Sequence, residues 1–189
     1  MPAPVIRRAT YQDVLDAPPN MIAEVIFGTL HTQPRPAFPH AVVSSNLGIV
    51  IGRRFHFRDD GPGEWAIIDE PELHFGPEPD ILVPDLAGWR RERLDGLPAN
   101  VPWTDIAPDW ICEVLSPSTQ AIDRTEKMDI YLREQVPNVW LIDPIARILE
   151  VYRSNGVNWL PIATHRDLEV VRAEPFEALE LQLSWLWER

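Results

Sequence analysis

Apolar positions along the chain recur first at helical spacing, then at strand spacing. Tyr11, Val14 and Leu15 share one helical face behind Thr10, and Pro18-Pro19 closes that short stretch. Ala23-Glu24-Val25-Ile26-Phe27 predicts a strand, Gly28 a turn and residues 29–33 the return, giving an N-terminal β-hairpin. Over residues 40–57, Val42, Val43, Leu47, Val50, Ile51 and Phe55 approach the three-four spacing of an amphipathic helix, which Asp59-Asp60-Gly61-Pro62-Gly63 ends. Residues 65–68, 81–83 and 109–115 are short apolar, β-branched runs bounded by turn residues. They predict three central strands.

Ser116-Pro117-Ser118-Thr119 then starts a helix, with Ser118 or Thr119 available as its cap and Asp123 in its early part, running to about Gln135. Residues 139–142 form a strand stopped by Asp143-Pro144, and residues 148–152 form another. A strand-helix-strand unit of this length is a right-handed crossover between parallel neighbours, whereas hairpins supply antiparallel pairs. Residues 158–189 fit two more strands and an apolar end, Trp185, Leu186 and Trp187, that docks on the body or on a second subunit. The pattern is α/β (α+β): a mixed central β-sheet flanked by α-helices.

At 189 residues, 45% of them hydrophobic and 24% charged, the chain is expected to form one domain, 1–189, with a core that needs no disulfide or structural metal. Cys112 is the sole cysteine, which excludes a disulfide framework and a Cys-rich zinc site. The N-terminal arginines have no apolar stretch behind them, and no run approaches a membrane span, so a cytoplasmic protein with no membrane partner is expected. The 29 acidic and 17 basic residues leave a net charge of −12, a field that repels polyphosphate at long range. Any nucleic-acid contact must therefore be local. Of the basic residues sixteen are arginine, and Lys127 is the only lysine. A site that keeps an ammonium against that drift can need a compact point charge that a planar guanidinium does not imitate.

Two acids sit where a bare carboxylate is disfavoured. Asp85 follows Ile81-Leu82-Val83-Pro84, and Glu113 lies inside Trp110-Ile111-Cys112-Glu113-Val114-Leu115. An ionised carboxylate in an apolar strand costs several kcal/mol unless a cation compensates it. Alternation puts Glu113 with Ile111 and Leu115 on one face and Cys112 with Val114 on the other, so Cys112 reads as core. The following helix carries Lys127 and, one turn later, Tyr131. An Asp, a Glu and a Lys gathered at neighbouring strand ends suit metal-assisted phosphodiester hydrolysis: hard oxygens hold Mg²⁺ or Mn²⁺, and the lysine stabilises or activates the attacking oxygen. Taken singly, these are ordinary turn, ion-pair and surface residues.

The runs Val83-Pro84-Asp85-Leu86-Ala87-Gly88-Trp89-Arg90-Arg91-Glu92-Arg93, Ala107-Pro108-Asp109-Trp110-Ile111-Cys112-Glu113-Val114-Leu115-Ser116-Pro117-Ser118-Thr119, Glu126-Lys127-Met128-Asp129-Ile130-Tyr131 and Val136-Pro137-Asn138-Val139-Trp140-Leu141-Ile142-Asp143-Pro144 resemble the family of Uma-type "putative restriction endonucleases", in the PD-(D/E)XK nuclease superfamily. The resemblance implies a restriction-endonuclease-like fold with Asp85 and Glu113 as metal ligands. Where the superfamily usually has lysine, two positions after the glutamate, this chain has Leu115, and Lys127 resembles the migrated lysine of some lineages. Glu24 falls where the family has a glutamate that completes the site.

Other positions compete. Asp80 also follows a proline and is an alternative to Asp85 as ligand. Glu70 and Glu72 flank Pro71 and read as a solvated edge, and His40 as a substrate contact, a support to a ligand or a surface group. Arg90, Arg91 and Arg93 form the densest basic cluster, available to grip DNA phosphates or to lie in a solvated loop. The expected function is metal-dependent DNA endonuclease, as a homodimer because cutting both strands needs two sites. The alternatives are an inactive nuclease-fold protein-interaction module, which the net charge suits, and a hydrolase of small phosphoesters.

Overall fold

The computed structural model describes residues 7–57, 64–97 and 100–188. Thr10 caps α1 (Tyr11–Leu15), and β1 (Met21–Ile26) turns through Phe27-Gly28 into β2 (Thr29–Pro34), as the pattern predicted. Helix α2 (Phe38–Ile51) continues into a π-helical turn, Gly52–His56; the predicted stop at residues 59–63 lies outside the described residues. Six strands then follow where three were predicted: β3 (Trp65–Asp69), β4 (Glu72–Phe75), β5 (Asp80–Leu82), β6 (Leu86–Arg90), β7 (Trp103–Thr104) and β8 (Trp110–Val114). Strand β4 escapes notice because Glu72 and His74 break its apolar run, and β6 because Gly88 and Arg90 do.

The helix after β8 comprises α3 (Gln120–Ile122), a π-helical turn Asp123–Lys127, and α4 (Met128–Arg133). The chain ends with β9 (Asn138–Asp143), β10 (Ile148–Ser154), β11 (Trp159–Arg166), β12 (Val170–Val171), β13 (Leu181–Gln182) and α5 (Ser184–Trp187), so the tail holds three strands rather than two. One sheet has the order β11-β10-β9-β8-β6-β3, with β8 and β9 parallel across the helical crossover and the other pairs antiparallel. A second sheet, β2-β1-β5-β4-β7, contains the hairpin. The expected mixed α+β architecture is present, its strands divided between these two mixed sheets and an antiparallel pair, β12-β13, and β3, read as central, is an edge strand.

Strand β8 divides the core. Trp110, Cys112 and Val114 join Val43, Leu47, Ile51 and Phe176 on the α2 side, while Ile111 and Leu115 join Leu73, Leu82, Ile130 and Tyr131 on the other. Burial holds the Cys112 thiol well above its usual pKa, which leaves it an inert core group. The tryptophan-rich composition accounts for much of the first cluster: Phe176 has its ring centroid 4.9, 5.0 and 5.7 Å from those of Trp65, Trp110 and Trp140. Such pairs add about 0.5–1.5 kcal/mol each beyond area burial. The C-terminal tail docks on its own body, where Asn46 Nδ2 donates to the Trp185 and Glu188 carbonyls at 2.9 Å and Leu186 is fully buried.

Gly88 lets β6 pass between two indoles. A Cβ there would meet Ile67 Cδ1 at 3.0 Å, Trp65 Cε3 at 3.2 Å and Trp110 Cε3 at 3.3 Å. Gly88→Val is therefore expected to cost about 1–3 kcal/mol by overpacking, seen as a lower urea midpoint with an unchanged slope. An unchanged midpoint would show that the two sheet faces yield freely there.

Candidate active site

Four elements deliver acids to one buried point. Inward-facing Glu24 on β1 is tied to the end of β5, with Oε1 accepting from the Val83 amide at 2.8 Å. Asp85, between β5 and β6, accepts from the Val114 amide through Oδ2 at 2.7 Å, which fixes it against the end of β8. Glu113 faces the crossover helix because it alternates with Cys112. That helix contributes Asp123, Lys127 and Tyr131, spaced four apart and so stacked on one face.

Lys127 Nζ lies 2.9 Å from Glu24 Oε1, 3.2 Å from Glu113 Oε1 and 3.4 Å from Asp123 Oδ1. Tyr131 donates its hydroxyl to Glu113 Oε1, and His40 Nε2 sits 3.2 Å from Asp85 Oδ1. Glu24, Glu113, Asp123 and Lys127 are each at most 4% exposed. One ammonium therefore faces three carboxylates in a medium where each uncompensated ion costs several kcal/mol, and Asp85 adds a fourth acid nearby.

The proton affinities follow from that imbalance. Burial, opposed by Lys127 but reinforced by Asp123, Asp85 and Glu24, pushes the Glu113 carboxyl well above its ordinary range. Burial alone would lower the Lys127 ammonium, but Glu113 and Glu24 outweigh it and hold the group well above its ordinary value. Tyr131 is likewise pushed up, by burial first and then by the charge of Glu113. For His40, the hydrogen bond and charge of Asp85 overcome the lowering due to burial.

A cleft of about 320 Å³ opens onto Asp85, Glu113, Asp123 and Lys127, with His40, Glu70 and Arg35 on its walls. Among the described residues, no three His, Cys, Asp or Glu side chains form a ready-made metal cage. Mg²⁺ does not demand one, since it commonly takes one or two carboxylates and keeps several waters. Asp85, Glu113 and Asp123 share the cleft in an environment with excess negative charge, and hard carboxylate oxygens of that kind suit such an ion.

The positions named from the sequence thus divide. Glu24, Asp85, Glu113 and Lys127 come together, while Leu115 is 3% exposed in the core. Asp80 lies elsewhere, its Oδ2 paired with Arg133 at 2.9 Å. Glu72 is bonded to His74 Nε2 at 2.7 Å rather than solvated, and Glu70 reaches the cleft wall. His40 is buried, so it is not a surface group. Arg90, Arg91 and Arg93 lie at or beyond the other end of β6, about 16 Å of strand from Asp85. Each is engaged within the chain: Arg90 with Glu64 and over the Trp65 ring, Arg91 with the His56 carbonyl, and Arg93 with Asp109 at 2.7 Å. Asp123 and Tyr131 were not assigned from the sequence, although their four-residue spacing about Lys127 was a usable signal.

The family described as "Putative restriction endonuclease", Uma2, matches residues 9–185. Among solved structures, one described as a putative nuclease belonging to DUF820 from Anabaena variabilis ATCC 29413 superposes with a TM-score of 0.73 at 24% identity, covering 95% of this chain and 97% of that one. No curated protein matches the chain. No helix among the described residues is long and apolar enough to cross a membrane.

Proposed function

Because this chain belongs to the Uma2 family of restriction-endonuclease-like proteins, we propose that it is a divalent-cation-dependent endodeoxyribonuclease, with Asp85 and Glu113 as metal ligands and Lys127 and Glu24 completing the site. The observation that carries this reading is the buried Lys127 ammonium, outnumbered by carboxylates at the floor of a cleft. Mg²⁺ or Mn²⁺ held by Asp85 and Glu113 would supply a Lewis acid for a phosphoryl oxygen and lower the pKa of a bound water.

The chain's own groups have distinct roles. His40 and the Val114 amide fix the two oxygens of Asp85. Tyr131 and Lys127 fix Oε1 of Glu113. Lys127, held protonated, is suited to donating to the charge that builds on the phosphoryl group rather than to removing a proton from water. Glu24 anchors that ammonium from the hairpin side. In hydrolysis a water oxygen bonds to phosphorus, the bond to one ester oxygen breaks, and that oxygen leaves with a proton. A homodimer would be required to cut both strands at one place. Leu186 and Trp187 are packed within their own chain and contribute little to such a contact.

The test is cleavage of mixed plasmid and single-stranded DNA with Mg²⁺ or Mn²⁺, comparing wild type with Asp85→Asn and Glu113→Gln. Wild type is expected to cut, and each variant to lose about 10²–10³-fold or more. Equal cutting by all three would assign the activity to another site. No cutting by wild type would favour the interaction-module alternative.

A further inference from the structure

The Ser116-Pro117-Ser118-Thr119 run has no role in the chemistry above, yet it forms one wall of the cleft. Arg35 stands on another wall. Resting on the nuclease reading, we propose that Arg35 and the hydroxyls of Ser116, Ser118 and Thr119 form a phosphate-gripping subsite that admits one polynucleotide strand, and that the Arg90–Arg93 cluster has no part in it.

The donors are available there. Ser116 Oγ lies 2.9 Å from both Ser118 Oγ and Thr119 Oγ1. Two mutual hydrogen bonds use two of the three hydroxyl protons, so one is left to donate. Neutral hydroxyls can meet a phosphate oxygen without adding a cation that competes for Asp85 and Glu113. Arg35 is the only arginine among the described residues lining this cleft. Its guanidinium side chain is 66% exposed, and its nearest acid, Glu70, is 4.0 Å away, the loosest of the arginine pairings described. The prolines on either side, Pro34 and Pro36, restrict the backbone that carries it, which lowers the entropy lost when it closes on an anion.

The charge balance favours one strand. The first cleft adjoins a second of about 170 Å³, and both are lined by Gln33, Pro34, Ser118, Thr119, Asp123 and Lys127. Arg35 lines the first, His31 the second, and Lys127 lies on the wall of both. A duplex carries one charge per about 1.7 Å of axis against about 3.4 Å for one of its strands, so it is repelled more strongly by a chain of net charge −12. Duplex binding is also a matter of neutralising several phosphates, whereas here a single arginine faces the cleft.

The experiment measures the anisotropy of a short fluorescein-labelled oligothymidylate, and of its duplex with oligoadenylate, in Ca²⁺ over a range of salt. Wild type is expected to bind the single strand about tenfold more tightly than the duplex. Arg35→Gln should weaken single-strand binding about tenfold and reduce the salt slope by about 0.7. Ser118→Ala with Thr119→Val should weaken it less, leaving the slope unchanged, and Arg93→Gln should change neither quantity. Equal binding by wild type and Arg35→Gln, a loss in Arg93→Gln, or a preference for duplex would each overturn the proposal. Because binding is read without turnover, Arg35-dependent binding in a protein that never cuts would sink only the nuclease reading, and cutting that ignores Arg35 would sink only the subsite.

Discussion

Lys127→Met is expected to cost about 3–5 kcal/mol of stability, the penalty for leaving buried charges without their partner. The substitution roughly keeps length and volume but leaves Glu24, Glu113 and Asp123 facing one another with no counter-ion. The remedy open to the protein is to bind protons. The loss should therefore be largest at neutral to alkaline pH and shrink as the acids protonate. Urea unfolding of wild type and variant across pH would show this, and a uniform deficit of less than about 1 kcal/mol would mean that the ammonium is an ordinary surface-type ion pair.

Glu113→Gln is expected to act in the opposite direction on stability while sharply slowing cleavage. In the folded wild type the Glu113 carboxyl is pushed well above its ordinary value, by burial first, so the folded state holds a proton that the unfolded state has released. Stability then falls as pH rises from the ordinary glutamate range toward the folded pKa, because the unfolded state binds fewer protons. The glutamine can still accept from Tyr131 and Lys127 but carries no charge to desolvate. It should match wild type in acid and exceed it near neutrality, while losing about 10²–10³-fold or more in turnover. A variant less stable than wild type at neutral pH would show that the Lys127–Glu113 attraction outweighs burial.

This opposition between stability and chemistry explains which features were readable in the sequence. The hairpin, the α2 face, the parallel β8–β9 pair and the crossover helix follow from the apolar period, although Thr119 at the start of α3 makes no side-chain capping bond and its hydroxyl meets Ser116 instead. Strand β6 was hidden because Gly88, which its pattern presents as a break, is there so that Trp65 and Trp110 can close over it. The density of Arg90, Arg91 and Arg93 says nothing about which end of β6 they occupy, and the acids and rings that engage them come from distant segments. In the site, Glu113 was legible because an acid breaks an apolar strand, and Lys127 because it is the only lysine. Asp123 and Tyr131 lie in a helix where polar residues are unexceptional, and the burial of His40 depends on Asp85, forty-five positions later.

A shortage of one divalent cation among the acids around Lys127 is tested most directly by titrating the protein with Mn²⁺ and counting bound ions by electron paramagnetic resonance, for wild type beside Asp85→Asn with Glu113→Gln. One ion per chain in wild type and none in the double variant is the expected result, with thermal stabilisation of wild type approaching about 2.7 kcal/mol at a hundredfold excess over Kd. Equal Mn²⁺ binding by the two proteins, or none by either, would contradict it.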